Sequence, residues 1–284
     1  MSCKLCPNLC EVDRARGVGL CLAGGKMVIN RAALHYYEEP PISGTRGSGT
    51  VFFGGCTMKC IYCQNYLISR RPSGKECTPK ELAEIIKRLE GEGAHNINLV
   101  TPTHFSDGIK KALDIYRPRI PIVYNTSGYE LKSEIEALED YVDIYLPDFK
   151  YSDSKLAAEL SGRPRYPELA LEAIGAMLSQ KRNRYDSQGI MLEGVIIRHM
   201  VIPGEVPNSI GVLEAILKHF GSGVTLSLMS QFTPIEGCGR LPVRLKPIEY
   251  KAVVAKAEKL GFSDVFIQEL SSAKPEYTPP FDID

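Results

Sequence analysis

After Gly44 the chain alternates short continuous apolar runs with stretches in which apolar residues recur at helical spacing. Val51-Phe52-Phe53 is such a run and predicts a buried strand. Thr78-Pro79-Lys80-Glu81 then carries a helix start, with threonine as N-cap, proline at the first helical position and a glutamate placed for a capping box. Leu82, Ile85, Ile86 and Leu89 follow as one apolar stripe. Further strands are expected over residues 96–101, 121–126, 142–146, 194–202 and 224–229. Between them, helical faces are expected from Ile109, Ala112, Leu113 and Tyr116, from Ile135 and Leu138, across residues 167–181, and from Ile210, Leu213, Leu217 and Phe220. A last helix over 247–260 precedes a strand-like segment at 265–268.

Repeated β-α units of this length favour a parallel sheet with right-handed crossovers. Six units fit an α/β fold of the open or partial barrel kind, and a doubly wound open sheet satisfies the same periodicity. Tyr36, Tyr37 and the Ile/Leu stripes read most simply as core. At 284 residues and 31.4 kDa the chain can bury one substantial core. The expected division is a cysteine-rich N-terminal extension over 1–47, a barrel core over 48–235 and a C-terminal β/α extension over 236–284 packing on the barrel.

Charge adds little: 34 basic and 34 acidic residues cancel, so no whole-chain field points to nucleic acid or an anionic membrane. The longest apolar runs fall short of a membrane span, and Met-Ser-Cys-Lys-Leu-Cys at the start lacks a signal-peptide apolar stretch. A soluble, cytoplasmic protein is expected. The cysteines change the picture more. Seven of the nine fall in two groups, at 3, 6, 10 and 21 and at 56, 60 and 63, leaving only Cys77 and Cys238 outside. A disulfide scaffold would spread them through a short chain, whereas clustering in a reduced compartment favours metal or cluster ligation.

Cys56, Cys60 and Cys63 lie in Gly-Thr-Val-Phe-Phe-Gly-Gly-Cys-Thr-Met-Lys-Cys-Ile-Tyr-Cys-Gln-Asn, residues 49–65. Thiolates are the usual iron–sulfur ligands, and a [4Fe–4S] cube takes four. Three in one loop would leave one iron open to a substrate or cofactor. A thioredoxin-like pair at Cys60 and Cys63 is one alternative, against which Cys56, the preceding glycines and the β/α series count. A three-cysteine zinc site completed by a distant ligand is another. Cys3, Cys6, Cys10 and Cys21 form a Cys-x2-Cys-x3-Cys-x10-Cys set, with Gly17 and Gly19 permitting a turn back. That set suits a structural zinc knuckle or an auxiliary iron–sulfur cluster, and a metal-free reading also stays open.

In α/β barrels the chemistry collects at the C-terminal ends of the strands. Here those ends are polar: Thr101-Pro102-Thr103-His104, Asn125-Thr126-Ser127-Gly128, Pro147-Asp148-Phe149-Lys150, Arg198-His199-Met200-Val201-Ile202-Pro203-Gly204 and Ser230-Gln231-Phe232. Asp148 and Lys150 would ordinarily form a solvated surface pair, but their position after a buried strand argues for function. His199 could equally be a satisfied core histidine. His35, His104 and Cys238 lack supporting context, although His104 could face the mouth.

The Cys-x3-Cys-x2-Cys spacing, with Ile61-Tyr62 and Gln64-Asn65, resembles the radical S-adenosylmethionine (SAM) superfamily. Glu39-Pro40-Pro41-Ile42-Ser43-Gly44, the 49–65 block and later motifs look like proteins related to pyruvate formate-lyase activating enzyme, from Cys3 to about Arg240. The resemblance implies a partial (β/α)6 barrel, a [4Fe–4S] cluster on Cys56, Cys60 and Cys63, and SAM at the open iron. Asp148 and Lys150 resemble the Asp-x-Lys element that helps position SAM and the catalytic pocket, which makes them the catalytic candidates. Asn125-Thr126-Ser127-Gly128 resembles an Asp-Thr-Asn-Gly element with one charge removed. The superfamily's Gly-Gly-Glu is absent, and Thr101-Pro102-Thr103 occupies its position. The motif from His199 to Gly204 looks like the strand-five motif near adenine, and Gln231 falls at a polar SAM contact. Tyr62, Asn65, Thr101, Asn125, Ser127, Asp148, Lys150, His199 and Gln231 are thus the expected cofactor contacts.

The implied reaction begins when an external electron, from a donor such as flavodoxin or ferredoxin, reduces the cluster. The S–C5′ bond of SAM then breaks to give methionine and a 5′-deoxyadenosyl radical that abstracts hydrogen. The leading expectation is an activase-like enzyme that installs a glycyl radical on a partner protein. Two alternatives remain: a radical SAM enzyme modifying a small molecule or another protein residue, and a zinc-stabilised interaction protein without catalysis.

Overall fold

The structure, a computed structural model, describes residues 2–71, 73–235, 238–241, 244–270 and 281. Its strands are β1 (Met27–His35), β2 (Ser48–Phe53), β3 (Lys75–Cys77), β4 (Ile97–Val100), β5 (Ile122–Thr126), β6 (Ile144–Pro147), β7 (Arg184–Tyr185), β8 (Met191–Met200), β9 (Thr225–Met229) and β10 (Val265–Ile267). Its helices are α1 (Pro40–Ser43), α2 (Tyr66–Ser69), α3 (Pro79–Gly91), α4 (Ser106–Ile115), α5 (Lys132–Glu136), α6 (Ser154–Ser161), α7 (Tyr166–Gln180), α8 (Val206–Phe220) and α9 (Pro247–Lys259).

The sheet order is β10-β9-β8-β6-β5-β4-β2-β1-β3, with β7 paired to β8. From β2 to β10 every neighbouring pair on that path is parallel, so the fold is α/β with a mostly parallel sheet. The sheet also curls. Gln64, in the loop that follows β2, donates from Nε2 to the carbonyl of Gln231, just after β9, at 2.5 Å. Those two strands are separated by four others in the sheet, so the hydrogen bond spans the mouth of a partial barrel. β3 and β10 are its two free edges.

Strand alternation sorts side chains between two cores. Val123, Ile144, Leu146, Met191 and Ile196 gather with Ile42 of α1 in one buried cluster inside the curl. Leu99, Tyr124, Tyr145, Val195 and Ile197 belong to the larger layer shared with α3, α4, α7 and α8. Stepping two residues along the inner register from Val123, Leu146 and Ile196 reaches Asn125, Asp148 and Arg198. The polar site therefore begins where the inner apolar layer ends.

The capping box of α3 forms. The Thr78 hydroxyl accepts the Glu81 N–H at 3.3 Å, and Glu81 accepts the Thr78 N–H at 2.8 Å. Leu82, Ile86 and Leu89 are fully buried beneath it.

Several features differ from the pattern-based reading. Residues 27–35 form β1, antiparallel to β2, so the segment before residue 48 supplies a strand to the same sheet. Its register is broken by a bulge between Ile29 and Arg31, which obscures its alternation in the sequence. An additional helix, α6, follows the Asp148–Lys150 segment. Tyr36 and Tyr37 are not core: they are 51% and 48% exposed, because the chain leaves β1 there and runs along the seam opposite Phe266 and Ile267. In the C-terminal extension β10 pairs with β9, whereas residues 236–237, 242–243, 271–280 and 282–284 lie outside the described residues. Among the described residues no helix is long and apolar enough to cross a membrane.

Thr78→Ala removes the cap of a helix that packs its whole stripe on the sheet. It should cost about 1 kcal/mol, read as a lower urea midpoint with an unchanged denaturant slope.

Candidate active site

Strand β2 delivers the cysteine loop to the mouth, and the loop is held from several sides. Gly55 has φ +85°, and a Cβ there would lie 2.4 Å from the carbonyl oxygen of Cys21. This close approach lets the Cys56 N–H donate to that carbonyl at 3.1 Å. Arg163 donates to the Thr57 carbonyl from Nε at 3.1 Å and Nη2 at 2.9 Å, and Asn8 donates to it at 2.9 Å. On the α6 side, Ile61 N–H bonds to the Leu160 carbonyl at 2.9 Å and the Ser161 hydroxyl donates to Cys60 Sγ at 3.0 Å.

Cys56, Cys60 and Cys63 line one cavity together with Tyr62, Asn65, Thr101, Asn125, Ser127, Asp148, Lys150 and Gln231. The cavity is open to solvent at its mouth. Burial pushes the Cys56 thiol up to about 12, with Cys63 and Cys60 adding to it. Cys63 is raised by burial and by Cys60. Three thiolates so placed require positive charge among them. Among the described residues no three His, Cys, Asp or Glu side chains are arranged to hold a single metal ion. Three thiols on one cavity wall suit an iron–sulfur cluster that keeps one iron open.

Deeper in the cavity Arg198, 8% exposed, meets two carboxylates and an amide. Its Nε donates to Asp148 at 2.9 Å, Nη1 to Glu38 at 3.2 Å and Nη2 to Asn125 Oδ1 at 2.6 Å. Glu38 also accepts from Asn98 at 3.0 Å and Asn125 at 3.2 Å. Lys150 Nζ donates to the second Asp148 oxygen at 2.5 Å. Burial acts to raise Asp148, but Arg198 and Lys150 outweigh it and hold the carboxyl below its ordinary value. Burial raises Glu38, only partly countered by Arg198. The Tyr166 hydroxyl supports this segment from below, accepting the Lys150 N–H at 2.9 Å and lying 2.7 Å from the Asp148 carbonyl.

The structure brings together every expected cofactor contact except His199. That ring is buried outside the cavity, Nδ1 at 2.7 Å from the Phe149 carbonyl and Nε2 at 2.9 Å from the Ser209 hydroxyl of α8. Burial lowers it to about 4, which keeps it neutral. His199 is two residues beyond Ile197, so it takes the helix-facing side, and its place inside belongs to Arg198. His104 is also buried, bonding the Gly54 carbonyl at 2.9 Å behind the loop rather than facing the mouth. Arg198 and Glu38 were missed by motif reading. Strand parity carried the signal for Arg198, while nothing local in the sequence marked Glu38.

Two further features shape the wall. Thr101 has φ +58°, a strained conformation for a β-branched residue, with its N–H bonded to the Asn125 carbonyl at 2.9 Å. Beneath it Glu130 is fully buried, accepts from the hydroxyls of Thr103 and Thr126, and has its Oε2 without a partner among the described residues. Burial pushes Glu130 up to about 8.

The sequence profile of the Radical SAM superfamily matches residues 50–215, more than half of the chain, including the cysteine loop, Asn125, Asp148, Lys150 and Arg198 but neither Glu38 nor Gln231. The chain belongs to the radical SAM superfamily. A [4Fe–4S] cluster and SAM are the cofactors that membership implies. The Methanocaldococcus jannaschii protein named Uncharacterized protein MJ0674 is 30% identical over 243 residues, 82% of this chain and 66% of that protein. From the same organism, Uncharacterized protein MJ0808 is 27% identical over 153 residues, 48% of this chain and 46% of its own. The matched regions thus span less than two thirds of these relatives. Among solved structures, Streptococcus suis SuiB bound to precursor peptide SuiA superposes with a TM-score of 0.51 at 14% identity, covering 78% of this chain and 48% of SuiB. That likeness concerns the fold.

Thr101→Gly should relieve strain that exceeds the entropy glycine adds to the unfolded chain, and so raise stability by about 1 kcal/mol, measured by equilibrium urea unfolding of this radical SAM protein. Glu130 sets a pH slope. Its folded value near 8 lies above its ordinary 4.5, so between these pH values the unfolded chain has lost a proton the folded chain keeps. Stability should therefore fall as pH rises across that window, by up to roughly 4 kcal/mol. Glu130→Gln should flatten the slope in urea titrations at pH 5, 6.5 and 8.

Proposed function

We propose that this radical SAM enzyme binds SAM in the cavity described above and takes a hydrogen atom from a partner polypeptide, in the manner of the activating enzymes it resembles. The observation that carries the reading is that three thiols and the Asp148–Lys150–Arg198 ion group line one cavity. When bound, the iron–sulfur cluster and SAM supply reductive cleavage of a sulfonium bond and an abstracting carbon radical.

The chain's own residues bind and orient. Cys56, Cys60 and Cys63 would hold the cluster and leave one iron for the amino acid end of SAM. Lys150 keeps N–H donors beyond the one given to Asp148, which suits a carboxylate. Asp148 stays ionised because two cations face it, and so suits an ammonium or ribose hydroxyls. Asn125, Ser127, Thr101 and Gln231 offer amide and hydroxyl groups of either sense for the remaining polar edges. The buried apolar side chains Phe52 and Val100 on the same wall limit water near the reacting atoms.

A glycyl radical enzyme is the favoured partner because of the activating-enzyme resemblance, with a flavodoxin or ferredoxin as electron donor. A second reading, modification of another peptide residue, draws support from the precursor peptide bound by the SuiB neighbour.

Under anaerobic reduction the protein should convert SAM to 5′-deoxyadenosine and methionine, and Cys60→Ala should abolish this. Supplying candidate substrates deuterated at the reacting carbon should move label into 5′-deoxyadenosine only for the true hydrogen donor. Absence of SAM cleavage in cluster-loaded protein would sink the reading. Label arriving only from a small molecule would remove the polypeptide partner.

A further inference from the structure

The N-terminal cysteine segment has no apolar core of its own. From residue 2 to residue 26 the described chain contains no helix and no strand beyond one isolated bridge between Ser2 and Asp13, and Leu9, Val18 and Leu20 are exposed. It is nevertheless tightly folded. Cys3 N–H bonds to the Val12 carbonyl at 2.9 Å, Glu11 N–H to the Cys3 carbonyl at 3.1 Å and Leu9 N–H to the Cys6 carbonyl at 3.0 Å. Three residues without glycine's freedom take positive φ here: Leu9 at 40°, Glu11 at 51° and Leu22 at 67°. Each is the immediate neighbour of a cysteine. Such strain persists only where surrounding structure over-determines it.

The sulfurs converge. A Cβ on Gly19 would lie 3.3 Å from both Cys10 Sγ and Cys21 Sγ, and the Cys3 and Cys10 thiols are in hydrogen-bond contact. Backbone amides two residues downstream are directed at three of the thiols: Asn8 at Cys6, Val12 at Cys10 and Ala23 at Cys21. The cavity loop repeats that arrangement, with the Met58 N–H 3.4 Å from Cys56 Sγ.

The surroundings are cationic and incompletely bonded. Arg14 and Lys59 both interact electrostatically with Cys21. Arg14 Nε and Nη2 and the Thr57 hydroxyl are buried without a hydrogen-bond partner among the described residues, and these donors suit acceptors such as inorganic sulfide. We propose that Cys3, Cys6, Cys10 and Cys21 hold a second iron–sulfur cluster, closed by four thiolates. It spans from the partly exposed Cys3 and Cys10 to the buried Cys6 and Cys21, and it abuts the cavity loop through the Cys56 N–H bond to Cys21.

The test is metal content of the full-length chain purified and reconstituted without oxygen. Wild type should contain about eight irons and as many acid-labile sulfides per chain. The triple variant Cys56→Ala, Cys60→Ala, Cys63→Ala should keep about half and stay brown. Cys6→Ser with Cys21→Ser in otherwise wild-type protein should lose the other half. Wild type with about four irons, a colourless triple variant of native circular dichroism, or one zinc in place of iron would each overturn the proposal. The wild-type count stands even if the variants fail to fold, and none of these measurements depends on the proposed reaction.

Discussion

A guanidinium buried inside a barrel must be met by negative charge and acceptors on every side, and Arg198 imposes that condition on this protein. Burial alone would weaken its charged form, but Asp148, Glu39 and Glu38 outweigh that effect. The partners arrive from three separate stretches of chain: the turn after β1, the end of β5 and the end of β6. One side chain thereby joins the N-terminal segment to the central strands and fixes Asp148 where Lys150 can also reach it. Removing a single partner would strand the remaining charges in a poorly solvated place, a penalty of about 3–5 kcal/mol for buried pairs in general.

The cysteine loop obeys a different constraint. It must hold three mutually repelling thiols at the mouth without a helix or strand of its own. It is braced by groups from afar: the Cys21 carbonyl, Arg163, Asn8, Leu160 and Ser161 all touch it. Strain collects nearby, in positive φ at Lys59 and Thr101. Such conformations survive because the surrounding framework leaves them no alternative, and they occur where a ligand surface must be shaped. Glu130, with its raised pKa, braces the same wall as a buried acid that is neutral over most of the physiological range.

Much of this was legible in the order of residue types. The capping box at Thr78, the stripe through Leu82, Ile86 and Leu89, and the six strands expected between residues 51 and 229 follow from local periodicity, since each depends only on near neighbours in the chain. The contributions of Asp148, Lys150, Asn125 and Gln231 to one wall followed from reading strand ends. The motif draws notice to His199, whereas inward or outward facing is decided by the register of β8 with its neighbours, which turns Arg198 into the cavity. Strand β1 and the exposed Tyr36-Tyr37 escaped because a bulged strand has no clean alternation and a seam has no sequence signature.

The sequence by itself determined the chemistry: three cysteines at close spacing after a buried strand, and polar groups closing each later strand. Those are properties of short segments, and the covalent chain fixes short segments directly. Only the tertiary structure decided that Glu38 lies beside Arg198, that Cys21 touches the cavity loop, and that Gln64 reaches Gln231. Each of these contacts joins residues far apart along the chain. The curl of the sheet brings them together, because burying both of its faces at once leaves few ways to close it.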